Sequence, residues 1–270
     1  MKTLITFVHF NRPNNSLYRN NLDFFSKVGL TESLDHQFNF IINSKTGGEN
    51  IPRRKNISVI QGHNKNQDWG AYQQSIYSSE IKEYDFFIFI NDTCRGPFIP
   101  NYIPDDITWV ELFLHKLNEK VKMVGPTWFN ADECPWVKNN LKNVENGKLA
   151  HIQSYCFGVD KKAMTLLLEN NKFDVIGKSW EDLVRDHEIG SSQLLLEKGY
   201  QIQPFQLSQY SPEKNRDISQ SNKYFGININ PLEVMFFKTI GSSSNDPITP
   251  EIRDKYTKWT IEKQIRNEKN

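Results

Sequence analysis

At 270 residues, with 37% hydrophobic, 24% charged and 13% aromatic residues, the chain has the size and composition of one folded domain with a sizeable apolar core. Its 33 Lys and Arg against 32 Asp and Glu give a formal charge of +1, which argues against bulk nucleic-acid binding but leaves room for a local pocket holding one diphosphate. Cys94, Cys134 and Cys156 show neither a CxxC pair nor zinc spacing, so a disulfide scaffold or structural zinc is not expected, and reduced thiols are.

In chain order, the first apolar run is Leu4–Phe10. It is too short for a signal peptide, and Asn11-Arg12-Pro13 follows where a small-residue cleavage site would stand. No stretch approaches the roughly 18 apolar residues of a membrane span, so a cytoplasmic enzyme or excised domain is expected, with the sequons at Asn14, Asn56 and Asn91 unglycosylated. Ser16 is placed to cap a helix through Val28, with Gly29 as its stop. Phe38–Ile42 and Ile57–Ile60 read as strands. Asp68 is placed to cap a helix over Gly70–Ile81. Phe86–Ile90 is a further strand, Thr108 and Glu111 form a capping box, and Lys122–Gly125 is a fifth strand. This alternation predicts a mainly parallel central sheet flanked by helices.

Beyond Gly125 the pattern changes. A polar, Asn-rich segment at 130–147 precedes a strand over His151–Val159 and a helix from Lys161 to about Asn171. A longer helix is expected over Glu181–Lys198, stopping at Gly199, then a strand over Tyr200–Phe205. Ser208–Asn230, which carries Lys214, Arg216 and Lys223, reads as a long polar loop or lid. Thr249 and Pro250 open a last helix.

Ligands of an open parallel sheet bind beyond the carboxyl ends of its strands. There the chain places His9, Asn11 and Arg12, the stretch Gln61–Tyr72, the turn Asn91–Phe98, and Pro126–Trp128. The run Phe86–Phe98 resembles the hydrophobic strand and Asn-(Asp/Ser)-(Ser/Thr)-x-Arg-Gly-Pro-Phe turn of a group of GT-A-like, nucleotide-sugar-dependent glycosyltransferases. Asp68-Trp69-Gly70-Ala71-Tyr72, Val124-Gly125, His151–Phe157 and Glu188–Gly199 agree with it in order, and Pro231–Lys238 resembles a segment near the end of polysaccharide-building transferases.

The resemblance implies a GT-A-like (Rossmann-like) α/β fold in one domain over 1–270. Residues 1–125 would form the nucleotide-sugar-binding half, 126–240 the acceptor side, and 241–270 a C-terminal helical extension. It implies transfer of a sugar from a nucleotide diphosphate donor to a saccharide acceptor, in glycan or polysaccharide assembly; the balanced charge and the short apolar runs argue against nucleic-acid and membrane-span partners. The alternative is a carbohydrate-binding or scaffold protein on a degenerate transferase fold.

Where such enzymes carry Asp-x-Asp for Mn²⁺ or Mg²⁺, this chain has Asn91-Asp92-Thr93, with one carboxylate. Asp92 is the candidate metal ligand, and the sequence leaves open whether a cation or Arg95 or Lys65 offsets the diphosphate charge. His9, Asn11, Asp68, Trp69, Tyr72, Asn91, Thr93 and Arg95 are the candidate donor contacts; Asp92 and Glu188 are the candidate catalytic groups. Helical spacing sets Glu188 among Val184, Ser191 and Leu195, where an unpaired carboxylate is costly unless it faces a cleft. That makes it the candidate general base. Each also has a plain structural role: Asp92 in a turn, Arg95 in an ion pair, Asp68 as a cap, Trp69 and Tyr72 in the core, His151 and His187 as structural histidines.

Overall fold

The computed structural model describes residues 1–130, 150–206, 229–240 and 249–267. Most of the Asn-rich segment, Cys134 and nearly all of the Ser208–Asn230 loop lie outside them. Seven strands form the central sheet: β1 (Thr3–His9), β2 (His36–Ile42), β3 (Ile57–Gln61), β4 (Phe86–Asn91), β6 (Val121–Gly125), β9 (Cys156–Asp160) and β10 (Gln201–Pro204). Their order is β3-β2-β1-β4-β9-β6-β10. Every neighbouring pair is parallel except the two made by β9, which runs antiparallel between β4 and β6. The mostly parallel sheet with flanking helices is the α/β architecture expected. Two small antiparallel ribbons complete it. One pairs β5 (Cys94–Arg95) with β11 (Phe237–Lys238); the other pairs β7 (Trp128–Asn130) with β8 (Ala150–Ile152).

The apolar runs became strands because both sheet faces are covered, so successive side chains are buried on opposite sides. In β1 and β4, Leu4, Val8, Phe87 and Phe89 pack on one face, and Ile5, Phe7, Ile88 and Ile90 on the other. The first face is covered by α2 (Gln67–Tyr77), through Trp69, Tyr72 and Ile76, and by α4 (Lys161–Glu169), through Ala163, Met164 and Leu167. The second is covered by α1 (Ser16–Val28), through Leu22 and Phe25, and by α3 (Trp109–Leu114), through Trp109, Val110 and Phe113. Among the described residues no helix is long and apolar enough to cross a membrane.

Local chemistry decided the ends. The box at Thr108 and Glu111 forms as expected. Helix α1 keeps its expected span, but Asn15 caps it: its side chain accepts the Leu17 N–H, and Ser16 is already the first helical residue. Asp68 is not a cap either, because α2 starts one residue earlier, behind Asn66. That helix ends at Tyr77 rather than Ile81, and Ile81–Glu83 forms a separate 3₁₀ turn. The expected strand over His151–Val159 is broken in two, β8 and β9.

The largest departure is in the expected Glu181–Lys198 helix. It is an α-turn, α5 (Trp180–Asp182), a π-helical stretch over Leu183–Ile189, and α6 (Gly190–Glu197). Gly199 stops it with φ of +80°. Two more helices follow, α7 (Pro231–Val234) and the 18-residue α8 (Pro250–Asn267). Ile252, Tyr256 and Ile261 of α8 pack against the cluster of Phe24, Phe98 and Phe237.

Gly158 in β9 lets the Phe113 ring lie directly on the sheet: a Cβ there would stand 2.7 Å from that ring. Phe205 and Phe236 hold the ring from other sides. Gly158→Ala is therefore expected to destabilise the fold by about 1–3 kcal/mol, read as a fall of several degrees in Tm by calorimetry.

Candidate functional site

Strands β1, β2 and β4 end side by side, and the chain leaves β1 toward β2 and β3 on one side and returns to β4 on the other. Such a switch point leaves a crevice between the loops. A cleft of about 420 Å³ opens there. Phe10 and Arg12 line it from the β1 end, Asn43 from β2, and Asn91, Asp92 and Thr93 from the β4 turn. Gln67, Asp68 and Trp69 come from the head of α2, Ser154 and Tyr155 from the approach to β9, Trp180, Leu183, Val184 and Glu188 from the π-helical element, and Lys238 from β11.

Asp92 ties these loops together. Its Oδ2 accepts from His9 Nδ1 at 2.7 Å and from the Phe10 N–H at 2.8 Å. Its own N–H donates to Val8 O, and its carbonyl accepts from Asn21 Nδ2. Burial raises its carboxyl above the usual carboxylate range, and the His9 and Phe10 contacts oppose that rise. Beside it, Asn91 Oδ1 accepts from the Thr93 N–H and hydroxyl, closing the turn.

The second centre is a pair of carboxylates. Asn91 Nδ2 donates to Asp68 Oδ2 at 2.8 Å, and the Trp69 N–H donates to Oδ1. Burial, reinforced by the charge of Glu188, pushes Asp68 up to about 6. Glu188 accepts the Ser154 N–H through Oε1 at 2.7 Å. An α-helix through 183–189 would give a different phase; the π turn is what sets Leu183 and Glu188 on one lining.

Two cations line the same cleft. Arg12 lies 4.5 Å over the Tyr18 ring and donates to its hydroxyl at 2.8 Å. Lys238 lies 6.0 Å from the Tyr155 ring. The loop before α2 is held tightly, with Asn64, Asn66 and Gln67 all left-handed at φ of +51°, +60° and +57°. Such strain costs about 1–2 kcal/mol per residue and gathers at functional sites. Gly70 is needed for this close turn, since a Cβ there would stand 1.9 Å from Lys65 O.

Of the residues singled out from sequence, Asn91, Asp92, Thr93, Asp68, Trp69 and Glu188 line the cleft. His9 stands behind Asp92, 0% exposed. Tyr72 is buried behind the wall, its hydroxyl donating to Ser154 O at 2.9 Å. Asn11 bonds with Ser44 and Thr46 in the neighbouring loop. Arg95 does not line the cleft: buried under α8, it donates to Asn21 Oδ1 at 2.8 Å and Thr257 Oγ1 at 3.0 Å. Lys65 does not line it either. Phe10, Asn43, Trp180 and Lys238 line it without having been picked out as site residues. The half-exposed Trp180, directly behind the Ser179 cap, carried a readable signal; Lys238 is brought in by the long-range β5–β11 pairing, which has none.

The donor set for a divalent cation is thin. Oδ2 of Asp92 is engaged by His9 and Phe10, and both oxygens of Asp68 are engaged by protein donors. Among the described residues no group of three or more His, Cys, Asp or Glu side chains is arranged to hold a metal ion. A hard cation takes six or more oxygens, so these residues do not build a metal site by themselves.

Asp68 has a direct stability consequence. Its carboxyl rises from 3.8 to about 6 on folding, so the folded state binds the proton more tightly. The resulting contribution is fully present below pH 3.8 and is lost as pH rises through about 6. Asp68→Asn, which imitates the protonated acid, should flatten this part of the pH profile. Relative to the wild type its advantage should grow by up to about 3 kcal/mol between pH 4 and 7, measured by urea unfolding.

No protein-family model matches the chain, and no curated protein sequence matches it. Among solved structures it is similar to a mannosyltransferase from Pyrobaculum calidifontis, PcManGT, in complex with GDP-Man and Mn²⁺. The TM-score is 0.42 at 10% identity, covering 75% of this chain and 54% of that one. This chain thus spans about half the length of that neighbour.

Proposed function

We propose that the protein is a glycosyltransferase whose cleft binds a nucleotide diphosphate sugar and transfers its sugar to a saccharide hydroxyl, in glycan or polysaccharide assembly. The observation that carries this reading is the meeting of two carboxylates, Asp68 and Glu188, with two cations, Arg12 and Lys238, in one cleft at the strand ends. Sugar transfer needs both kinds of group: a base for the acceptor hydroxyl and positive charge for the departing diphosphate.

In this reading Glu188 is the base. With Oε1 held by the Ser154 N–H, Oε2 takes the acceptor proton as the acceptor oxygen bonds to the anomeric carbon. The bond from that carbon to the diphosphate oxygen breaks, and Arg12 and Lys238 stabilise the released diphosphate through charge-assisted hydrogen bonds. Asp68 and Asn91 position the donor, and Asp92 holds the turn between them. Residues 1–125 then carry the donor, 126–240 bring Glu188 and the acceptor, and 241–270 form the C-terminal extension.

A thermal-shift screen of UDP, GDP, CDP, dTDP and ADP, each with Mn²⁺ and with EDTA, tests the donor site. A nucleotide at about 100 times its Kd should stabilise the fold by about 2.7 kcal/mol, a Tm rise of roughly 5–10 °C. No rise with any of them would remove the donor-site assignment. With the donor base identified, Glu188→Gln should lower turnover by about 10²–10⁴-fold while leaving nucleotide binding intact; unchanged turnover would exclude Glu188 as the base.

A further inference from the structure

Arg95 stands apart from the cleft and is only 4% exposed. Its Nε donates to Asn21 Oδ1 and its Nη1 to Thr257 Oγ1, both neutral acceptors. A guanidinium carries five N–H donors; with two of them used, three are left among the described residues, the Nη2 pair included. Asp254 Oδ1 lies 3.9 Å from Nη1, but Arg253 Nε already donates to that oxygen at 2.9 Å. Burial, and after it the Arg253 charge, lowers the Arg95 pKa to about 10, so the group stays charged at neutral pH. A buried charge without a bonded counter-charge is costly.

Arg95 lines a groove of about 620 Å³ between α1 and α8, which shares no lining residue with the cleft. Asn20, Phe24 and Lys27 stand along it at helical spacing on α1, and Asp254, Thr257 and Lys258 on α8. Its carboxylates each have another basic partner. Asp23 accepts from Arg19 Nε at 3.1 Å, Asp254 accepts from Arg253, and Glu262 lies 3.9 Å from Lys258. Arg95 and the exposed Lys27 are left as two positive charges without a hydrogen-bonded carboxylate among the described residues. We infer that this groove is a binding site for a phosphate group, seated on the free Arg95 donors with Lys27 as the second cation. A phosphate group carries about 1.5–2 negative charges at neutral pH, which these two cations balance, whereas a carboxylate would balance only one. The planar guanidinium donors also match its oxygens. Through Asn21, which donates to Asp92 O at 2.8 Å, the site adjoins the turn that lines the cleft. The inference does not depend on the transferase reading.

Protein labelled with ¹⁵N-arginine is titrated by NMR with inorganic phosphate and, separately, with glucose 1-phosphate, the ionic strength being held constant with chloride. The readout is the Arg95 Nε–H signal, assigned by its loss in Arg95→Lys or, should that variant not fold, by its NOE to the Asn21 side-chain amide. A saturable shift with at least one titrant is expected, and the tighter of the two assigns the occupant as free phosphate or a phosphate ester. Lys27→Glu should weaken that binding about tenfold with Tm unchanged, and Arg12→Ala, which alters the cleft, should leave it as it is. No saturable shift, a shift lost in Arg12→Ala, or one untouched by Lys27→Glu would overturn the inference. Stabilisation by a nucleotide that persists in Lys27→Glu belongs to the cleft, so either reading can fall while the other stands.

Discussion

The buried contact between His9 and Asp92 holds the cleft in register. It joins the last residue of β1 to the first residue after β4, with the Phe10 N–H closing the same oxygen. A carboxylate taken from water without partners would cost several kcal/mol. This one has a ring nitrogen and a backbone donor, and its backbone is used as well, through Val8 O and Asn21. Asn21 in turn accepts from Arg95, which reaches Thr257 on α8. The turn of Asn91–Thr93 is thus pinned from the sheet on one side and from the C-terminal helix on the other.

The neighbouring carboxylates are held by hydrogen bonds from neutral donors. Asp68 is met by neutral donors, from Asn91, Ser154 and the Trp69 N–H, and sits near a like charge. Burial and that like charge together raise its proton affinity. The cations of the cleft are held elsewhere, Arg12 on Tyr18 and Lys238 over Tyr155. Acidic and basic groups share one cavity without any hydrogen-bonded ion pair between these carboxylates and cations among the described residues.

The sheet was legible because strands covered on both faces need continuous apolar runs, and Leu4–Phe10 and Phe86–Ile90 are such runs. Helix ends were legible where the signal is purely local, as at Thr108 and Glu111. They failed where the backbone is set by a tight loop: Asp68 lost its expected cap to a start fixed by left-handed Asn66 and Gln67. Arg95 was read from its place after a strand. Its direction depends instead on β5 pairing with β11, more than 140 residues later, which buries Arg95 against α1 and α8 and brings Lys238 to the cleft. No local pattern announces that pairing. Glu188 was found through its spacing among apolar residues, although the helix carrying it is not the regular one that spacing assumed.

The π-helical stretch over Leu183–Ile189 separates two tasks that a uniform helix would bind together. On its C-terminal side, Ser191, Ser192 and Leu195 are anchored in the protein interior. On its N-terminal side, Trp180, Leu183 and Val184 face the cleft. An extra residue in a turn rotates the N-terminal part of a helix by about 100° against the C-terminal part. The element works like a mechanical coupling with an adjustable phase: the anchored end keeps its seating while the working end is re-aimed by adding or removing one residue. One residue more or fewer in this turn would thus re-aim that wall of the cleft without the replacement of a core.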